Sequence, residues 1–404
     1  MVPTTVCLAL AVALSTLVGV SSADAGHAPR CHGLFATVVG TSHDDVLRGT
    51  PGRDVITGWA GRDKIRGGGG ADVICGGADS DRLFGGPGND RLFGEDSDNA
   101  TEQLDGGPGN DLLNLGRRPT SYDRFSFGSA RRGVTIDLKR RRAVGEGHDR
   151  LVFHRTDGTT ISVETVLGSP HDDVIYGTEH EDKIYGGAGD DRIFGRAGSD
   201  SISGEFGLRS RSRNLHSTDV LDGGAGNDEL RAAHGPDIVR GRGGGDAILI
   251  ESDGVSARGN AGNDTVFLFL THRDSDVRGG ADLDRLVVRT GRAPSGTSFV
   301  STAFDQASGT AVVTRSDDIT WSEHFSGFTF YEWAGPLDWS FEGNGESTSL
   351  RVDGTSLRAH MGAGDDSVIG TPNHDVLDGG DGDDAVFNSG GADDCTNFEA
   401  GTCS

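Results

Sequence analysis

Residues 40–93, read in nines from Gly40, give GTSHDDVLR, GTPGRDVIT, GWAGRDKIR, GGGGADVIC, GGADSDRLF and GGPGNDRLF. The register does not slip. Position one is Gly in each (Gly40, Gly49, Gly58, Gly67, Gly76, Gly85), and position eight is Leu or Ile. Position six is Asp each time: Asp45, Asp54, Asp63, Asp72, Asp81 and Asp90. Glycine permits positive φ and close backbone approach, so the first six residues of each nine suit a tight turn. The last three are too few for a helix and suit a short strand whose position-eight aliphatic faces inward.

Stacking such units predicts an all-β solenoid of the parallel β-roll or β-helix kind, two nonapeptides to a coil and a turn on each side. Asp45, Asp63 and Asp81 then line one edge, and Asp54, Asp72 and Asp90 the other, with neighbours about 4.8 Å apart. Carboxylates at that spacing repel, and a bare solenoid needs no acid at every ninth residue. Turn carbonyls plus a carboxylate from each of two stacked coils match a hard cation such as calcium, which takes about six to eight oxygens. Several Ca2+ ions are therefore expected, with binding coupled to folding.

The rhythm runs on with interruptions. It resumes at Gly106 with Asp111, and again at Gly168 with Asp173, Asp182, Asp191 and Asp200. After a loop carrying Arg209, Arg211 and Arg213 it supplies Asp228, Asp237 and Asp246, then Asp264 and Asp284. The last full repeats carry Asp366, Asp375 and Asp384. The expected organisation is residues 1–25 as a signal peptide, 26–115 as a first run with a cysteine cap and 116–167 as a basic β insertion. A central run over 168–287, an aromatic-rich β insertion over 288–342 and a final run with a cysteine cap over 343–404 complete it.

The chain has 404 residues, 66 of them Gly, and a formal charge of −25. Such an acidic surface argues against general nucleic-acid binding. Val6 to Val20 is largely apolar, and Ala23-Asp24-Ala25 fits a small-x-small cleavage site, although a charged start is missing. That run is short for a membrane span and no later one follows, so an exported, extracellular protein is expected. Cys7 leaves with the signal, and Cys31, Cys75, Cys395 and Cys403 remain. Sequence proximity favours Cys31–Cys75 and Cys395–Cys403, each closing one end, although four cysteines allow three pairings. No CxxC suggests zinc. Asn99-Ala100-Thr101 is a glycosylation sequon, a short and weak signal.

The first insertion holds Lys139-Arg140-Arg141-Arg142, a solvated hairpin face or a dock for a cell-wall or extracellular glycan. The second holds Trp321, Trp333, Trp339, Phe325, Phe328, Phe330 and Tyr331. Such a cluster more often fills a small core than forms a sugar platform. HExxH, GxSxG and phosphate-loop motifs are absent, and His43, His171 and His374 read as solvent-facing turn residues. No catalytic residue is expected. A polysaccharide-active solenoid would need acids clustered outside the turns.

These repeats resemble the RTX, or haemolysin-type, calcium-binding family, whose repeat follows GGxGxDxUx. The opening CHGLFATVVGTSHDDVLRGTPGRDVITGWAGRDKIRGGGGADVICGG is similar to secreted calcium-binding repeat proteins of Gram-positive bacteria. ISVETVLGSPHDDVIYG resembles the re-entry into repeats of serralysin-type C-terminal regions, and DDCTNFEAGTC resembles the cysteine-bearing tails of such proteins. The resemblance implies a parallel β-roll with calcium between turns, and gives the ligand role to the position-six aspartates. Many such proteins carry a toxin or enzyme domain ahead of the repeats and leave by a one-step exporter with a C-terminal signal. This chain departs on both counts, so cytolytic function is not carried over.

Overall fold

The computed structural model describes residues 29–95, 100–116, 123–153, 164–205, 217–269, 274–290, 299–315, 320–387 and 391–403. The signal-like segment, Asn99 of the sequon, the arginine loop and the Trp321 side chain lie outside the described residues. The regular elements among the described residues are all strands, most of three to six residues.

Pairing follows the two-repeat step. Val46–Arg48 lies parallel to Lys64–Arg66 with Leu47 opposite Ile65, and that strand lies parallel to Arg82–Phe84. In the facing sheet Val55–Ala60 lies parallel to Val73–Ala78 with Ile56 opposite Ile74. Alternate nonapeptides therefore feed opposite sheets, which makes the expected parallel β-roll. The position-eight side chains Ile56, Ile65, Ile74, Leu83 and Leu92 are fully buried between the sheets. One continuous core runs from Ile56 to Val386. Three-residue strands have little stability alone, so each coil depends on burial against its neighbours.

Both insertions are spliced into the roll, and in the same way. Thr135–Asp137, Arg142–Val144 and His148–Val152 form an antiparallel triplet. It sits between Leu112–Asn114 and Val174–Tyr176 of one sheet. The facing sheet passes by without a break through Arg124–Ser126. Phe299–Asp305, Thr310–Arg315 and Thr320–Ser326 repeat this between Asp276–Ala281 and Asp338–Glu342. An added pair of antiparallel strands leaves the outer strands parallel to their neighbours, so the roll continues in phase.

The aromatic residues of the second insertion pack inward. Phe304 lies 5.2–5.7 Å from the rings of Phe325, Tyr331, Trp333 and Phe341. Trp333 stacks on Trp339 at 5.0 Å. Phe328 is buried too, whereas Phe330 is exposed. The core reading holds, and Trp333 and Trp339 offer no sugar platform.

Cys31 is bonded to Cys75 and Cys395 to Cys403, the pairing that sequence proximity favours. The first bond is buried with Val55, Val73 and Phe93 beneath the N-terminal hairpin. Cys395 stands opposite Leu377 at the last coil. His43, His171 and His374 are exposed, as expected.

Candidate metal centre

Most position-six aspartates end their turns with the carboxylate tucked beneath the preceding coil; Asp45, in the first nine, bonds its own Thr41 instead. Asp63 Oδ1 accepts the backbone N–H of Asp45, and Asp81 Oδ1 that of Asp63, each at 2.8 Å. On the other edge Asp72 does this for Asp54, and Asp90 for Asp72. The ladder continues through Asp111, Asp191, Asp200, Asp228, Asp246, Asp264 and Asp284. Asp173, Asp237, Asp366, Asp375 and Asp384 take the same place, some against a non-acidic residue one coil back. Asp182 lends its amide to Asp200. The structure thus gathers the sequence-predicted aspartates into two edge columns.

Seven further acids extend the columns. Asp219 fills the rung between Asp191 and Asp237. Asp149 accepts from Asp111, and Asp123 from Glu102. Glu323 accepts from Ser275, Asp393 from Asp375, and Glu399 from Asp384. Most carry a readable signal: an acid two residues before an inward apolar side chain, as in Glu102-Gln-Leu104, Asp123-Arg-Phe125, Asp149-Arg-Leu151, Asp219-Val-Leu221 and Glu323-His-Phe325. A search that also demands glycine at position one passes over them.

The second carboxylate oxygen defines the chemistry. Oδ2 is buried and without a hydrogen-bond partner in Asp63, Asp72, Asp81, Asp90, Asp111, Asp191, Asp200, Asp228, Asp237, Asp246, Asp264, Asp284, Asp366 and Asp384. Burial, reinforced by the next carboxylate in the column, pushes Asp81, Asp111 and Asp200 up to about 8. It pushes Asp191 up to about 9, and Glu102, flanked by Asp81 and Asp123, to about 10. An unsatisfied buried polar atom costs about 1–3 kcal/mol, and a charged one more.

Position-one glycine leaves room for this arrangement. A Cβ on Gly58 would lie 2.1 Å from Asp63 Oδ2 and 2.4 Å from the Gly76 carbonyl oxygen. On Gly186 it would meet Asp191 Oδ2 and the Gly204 carbonyl oxygen at the same two distances. Carboxylate and carbonyl oxygens from successive coils therefore converge with no donor between them. The set is all hard oxygen and negative, which fits calcium. Calcium bound there would supply the missing positive charge. The residues hold the oxygens in register and keep water from them.

The fold is a parallel repeat solenoid edged by stacked carboxylates and turn carbonyls, an all-oxygen lining suited to a hard cation. The family model described as the RTX calcium-binding nonapeptide repeat (four copies) matches five segments, residues 39–74, 76–113, 167–207, 217–248 and 362–395. The chain thus carries RTX-type calcium-binding nonapeptide repeats over these segments. The unmatched stretches between these segments include both antiparallel triplets. No curated protein matches the chain.

Proposed function

We propose that this protein is exported, binds calcium along both edges of the roll through its position-six aspartates, and folds outside the cell into a structural or surface element. The observation that carries the reading is the column of buried carboxylates with unpartnered oxygens. At cytosolic calcium, on the order of sub-micromolar, the columns repel and the chain stays loose. At about millimolar calcium, the range of extracellular modules, the sites fill. Each occupied site stabilises the folded form alone. The two disulfides suit an oxidising compartment. No helix among the described residues is long and apolar enough to cross a membrane. The reading assigns no catalysis.

Chelation should abolish the β-type circular dichroism signal, and restoring calcium should return it. An unchanged spectrum in excess chelator would refute the reading.

A second reading rests on the basic hairpin. Arg140, Arg141, Arg142, His148 and Arg150 line one open groove, a setting for an anionic glycan. A glycan array run in calcium, wild type against Arg142→Ala with Arg150→Ala, tests it. Equal binding by both proteins removes the groove from consideration.

A further inference from the structure

All but one of the repeats with aspartate at position six fall into two kinds of turn; in the exception, before Asp237, neither Ala233 nor Gly235 is left-handed, yet Asp237 Oδ2 is bare. In the first kind, positions two and four are both left-handed. Gly68 and Gly70 have φ of 110° and 98°, and Gly86 and Gly88 have 102° and 152°. Trp59, Arg196, Arg242 and Asn260 adopt the same conformation at position two, with φ of 81–88°. Left-handed φ is uncommon outside glycine, so this turn is imposed even where the residue resists it.

In the second kind, position two is Thr41, Thr50, Ser169, Thr178 or Thr371, and neither it nor position four is left-handed. Here the turn closes on its own aspartate. Thr50 donates its N–H and its hydroxyl to Asp54 Oδ2, at 2.6 and 2.8 Å. Thr41 does the same to Asp45 Oδ2 at 2.7 and 2.9 Å. Ser169 and Thr371 each give their N–H to Oδ2 and their hydroxyl to Oδ1 of Asp173 and Asp375. Thr178 gives its N–H to Asp182. None of Asp45, Asp54, Asp173, Asp182 and Asp375 has a buried oxygen without a partner, whereas the left-handed turns leave theirs bare.

Their places in the chain are not scattered. The nines at Gly40 and Gly49 open the first run, one on each edge, and those at Gly168 and Gly177 open the second in the same way. Asp375 is the first aspartate on its edge after the aromatic insertion. The residues one coil before Asp54, Asp173 and Asp375 are Thr37, Val134 and Leu357, which offer no carboxylate. In each of these turns the Thr or Ser donors occupy carboxylate oxygens that the left-handed turns leave bare.

We propose that calcium goes to the turns whose aspartate leaves Oδ2 bare, and that the Thr- and Ser-bearing turns are complete without it, so that the first two runs of repeats open on ion-independent turns. This rests on the calcium reading above.

The test counts bound calcium per chain by equilibrium dialysis at saturating calcium, using the full protein. Thr50→Gly converts GTPGRD to GGPGRD, the pattern of GGPGND at residues 85–90. It should bind about one more ion than wild type, whereas Asp90→Asn should bind about one fewer. Thr50→Ser keeps both donors and should match wild type. Thr371→Gly at the other end of the roll repeats the gain if the first variant folds poorly. If the Gly variants bind no extra ion while Asp90→Asn loses one, this inference is overturned and the calcium reading stands. If Asp90→Asn loses none, or wild type binds none, the calcium reading itself fails.

Discussion

Asp191→Asn separates the two jobs of a column carboxylate. Asp191 is fully buried; its Oδ1 accepts the Asp173 N–H at 2.8 Å, and its Oδ2 has no partner. Asparagine is isosteric, so it can keep the first bond and place an N–H2 donor where Oδ2 shares its space with the Gly204 carbonyl oxygen. In the calcium-free fold, burial and the carboxylates of Asp219 and Asp173 raise Asp191 from 3.8 to about 9. Folding at pH 7 then requires a proton on a group whose unfolded form has lost it. That is about three pH units, or on the order of 4 kcal/mol. In chelator the substitution should therefore stabilise the fold by on the order of 2–4 kcal/mol. With calcium a hundredfold above its Kd, a lost site forfeits about 2.7 kcal/mol, so most of that advantage should vanish. Urea unfolding followed by far-UV circular dichroism, in chelator and in calcium, reads both states. Where wild type is already unfolded in chelator, the residual β signal reports the gain. An equal effect of the substitution in both conditions would show that the charge at this position has no cation to meet, and would refute the reasoning.

Protons should partly replace calcium. Because the folded-state values of Asp81, Asp200 and Asp237 are raised to about 8, their stabilising protonation is complete below the unfolded value near 3.8 and is lost as pH rises through about 8. Asp137 is held below its usual range despite its burial, by hydrogen bonds and charge from Arg196 and Arg140, and its ion pairs are lost only in stronger acid. The calcium-free chain should thus show most β signal near pH 4–5 and least above pH 8, by circular dichroism across a pH series. Trp333→Ala removes a buried ring at the centre of the aromatic core and should cost about 3–5 kcal/mol in calcium, measured by urea unfolding, while leaving glycan-array signals unchanged. The disulfides should differ: Cys31–Cys75 spans 44 residues and Cys395–Cys403 spans 8. Loop closure then predicts contributions of about 4 and about 2.5 kcal/mol, read as the loss in thermal unfolding of each paired Cys→Ser variant.

Much of this fold was legible because one short motif recurs. The nine-residue phase alone predicts that Leu47 faces Ile65 and that Ile56 faces Ile74, and those are the pairings found. The aspartate columns follow from the same arithmetic. What escaped was set by contacts between distant segments. Asp123 and Asp149 continue the columns, yet no glycine announces them, because stacking of their coils fixes their place. The splicing of both insertions into one sheet depends on strands 38 or more residues apart meeting in register. The two turn classes were visible as Gly or Thr at position two, but their meaning lies in where the carboxylate oxygens end up.

The composition of the columns argues for charge over shape. An asparagine at position six could supply the same Oδ1 acceptor to the coil before it, and its amide would find the nearby carbonyl. Neutral, it would avoid the burial that lifts Asp63, Asp81 and Asp191 to about 6, 8 and 9. A chain built only to stack would do better with it. Instead the first six successive repeats all place aspartate there, while asparagine appears freely one position earlier, at Asn89, Asn110, Asn227 and Asn263. Those exposed asparagines do bond the neighbouring coil through their amides, as Asn89 does with the Asn110 N–H. The ladder can thus be built from neutral rungs where charge has no task. On the calcium reading proposed above, aspartate at the buried rung would weaken the empty roll, and calcium would then decide when it forms.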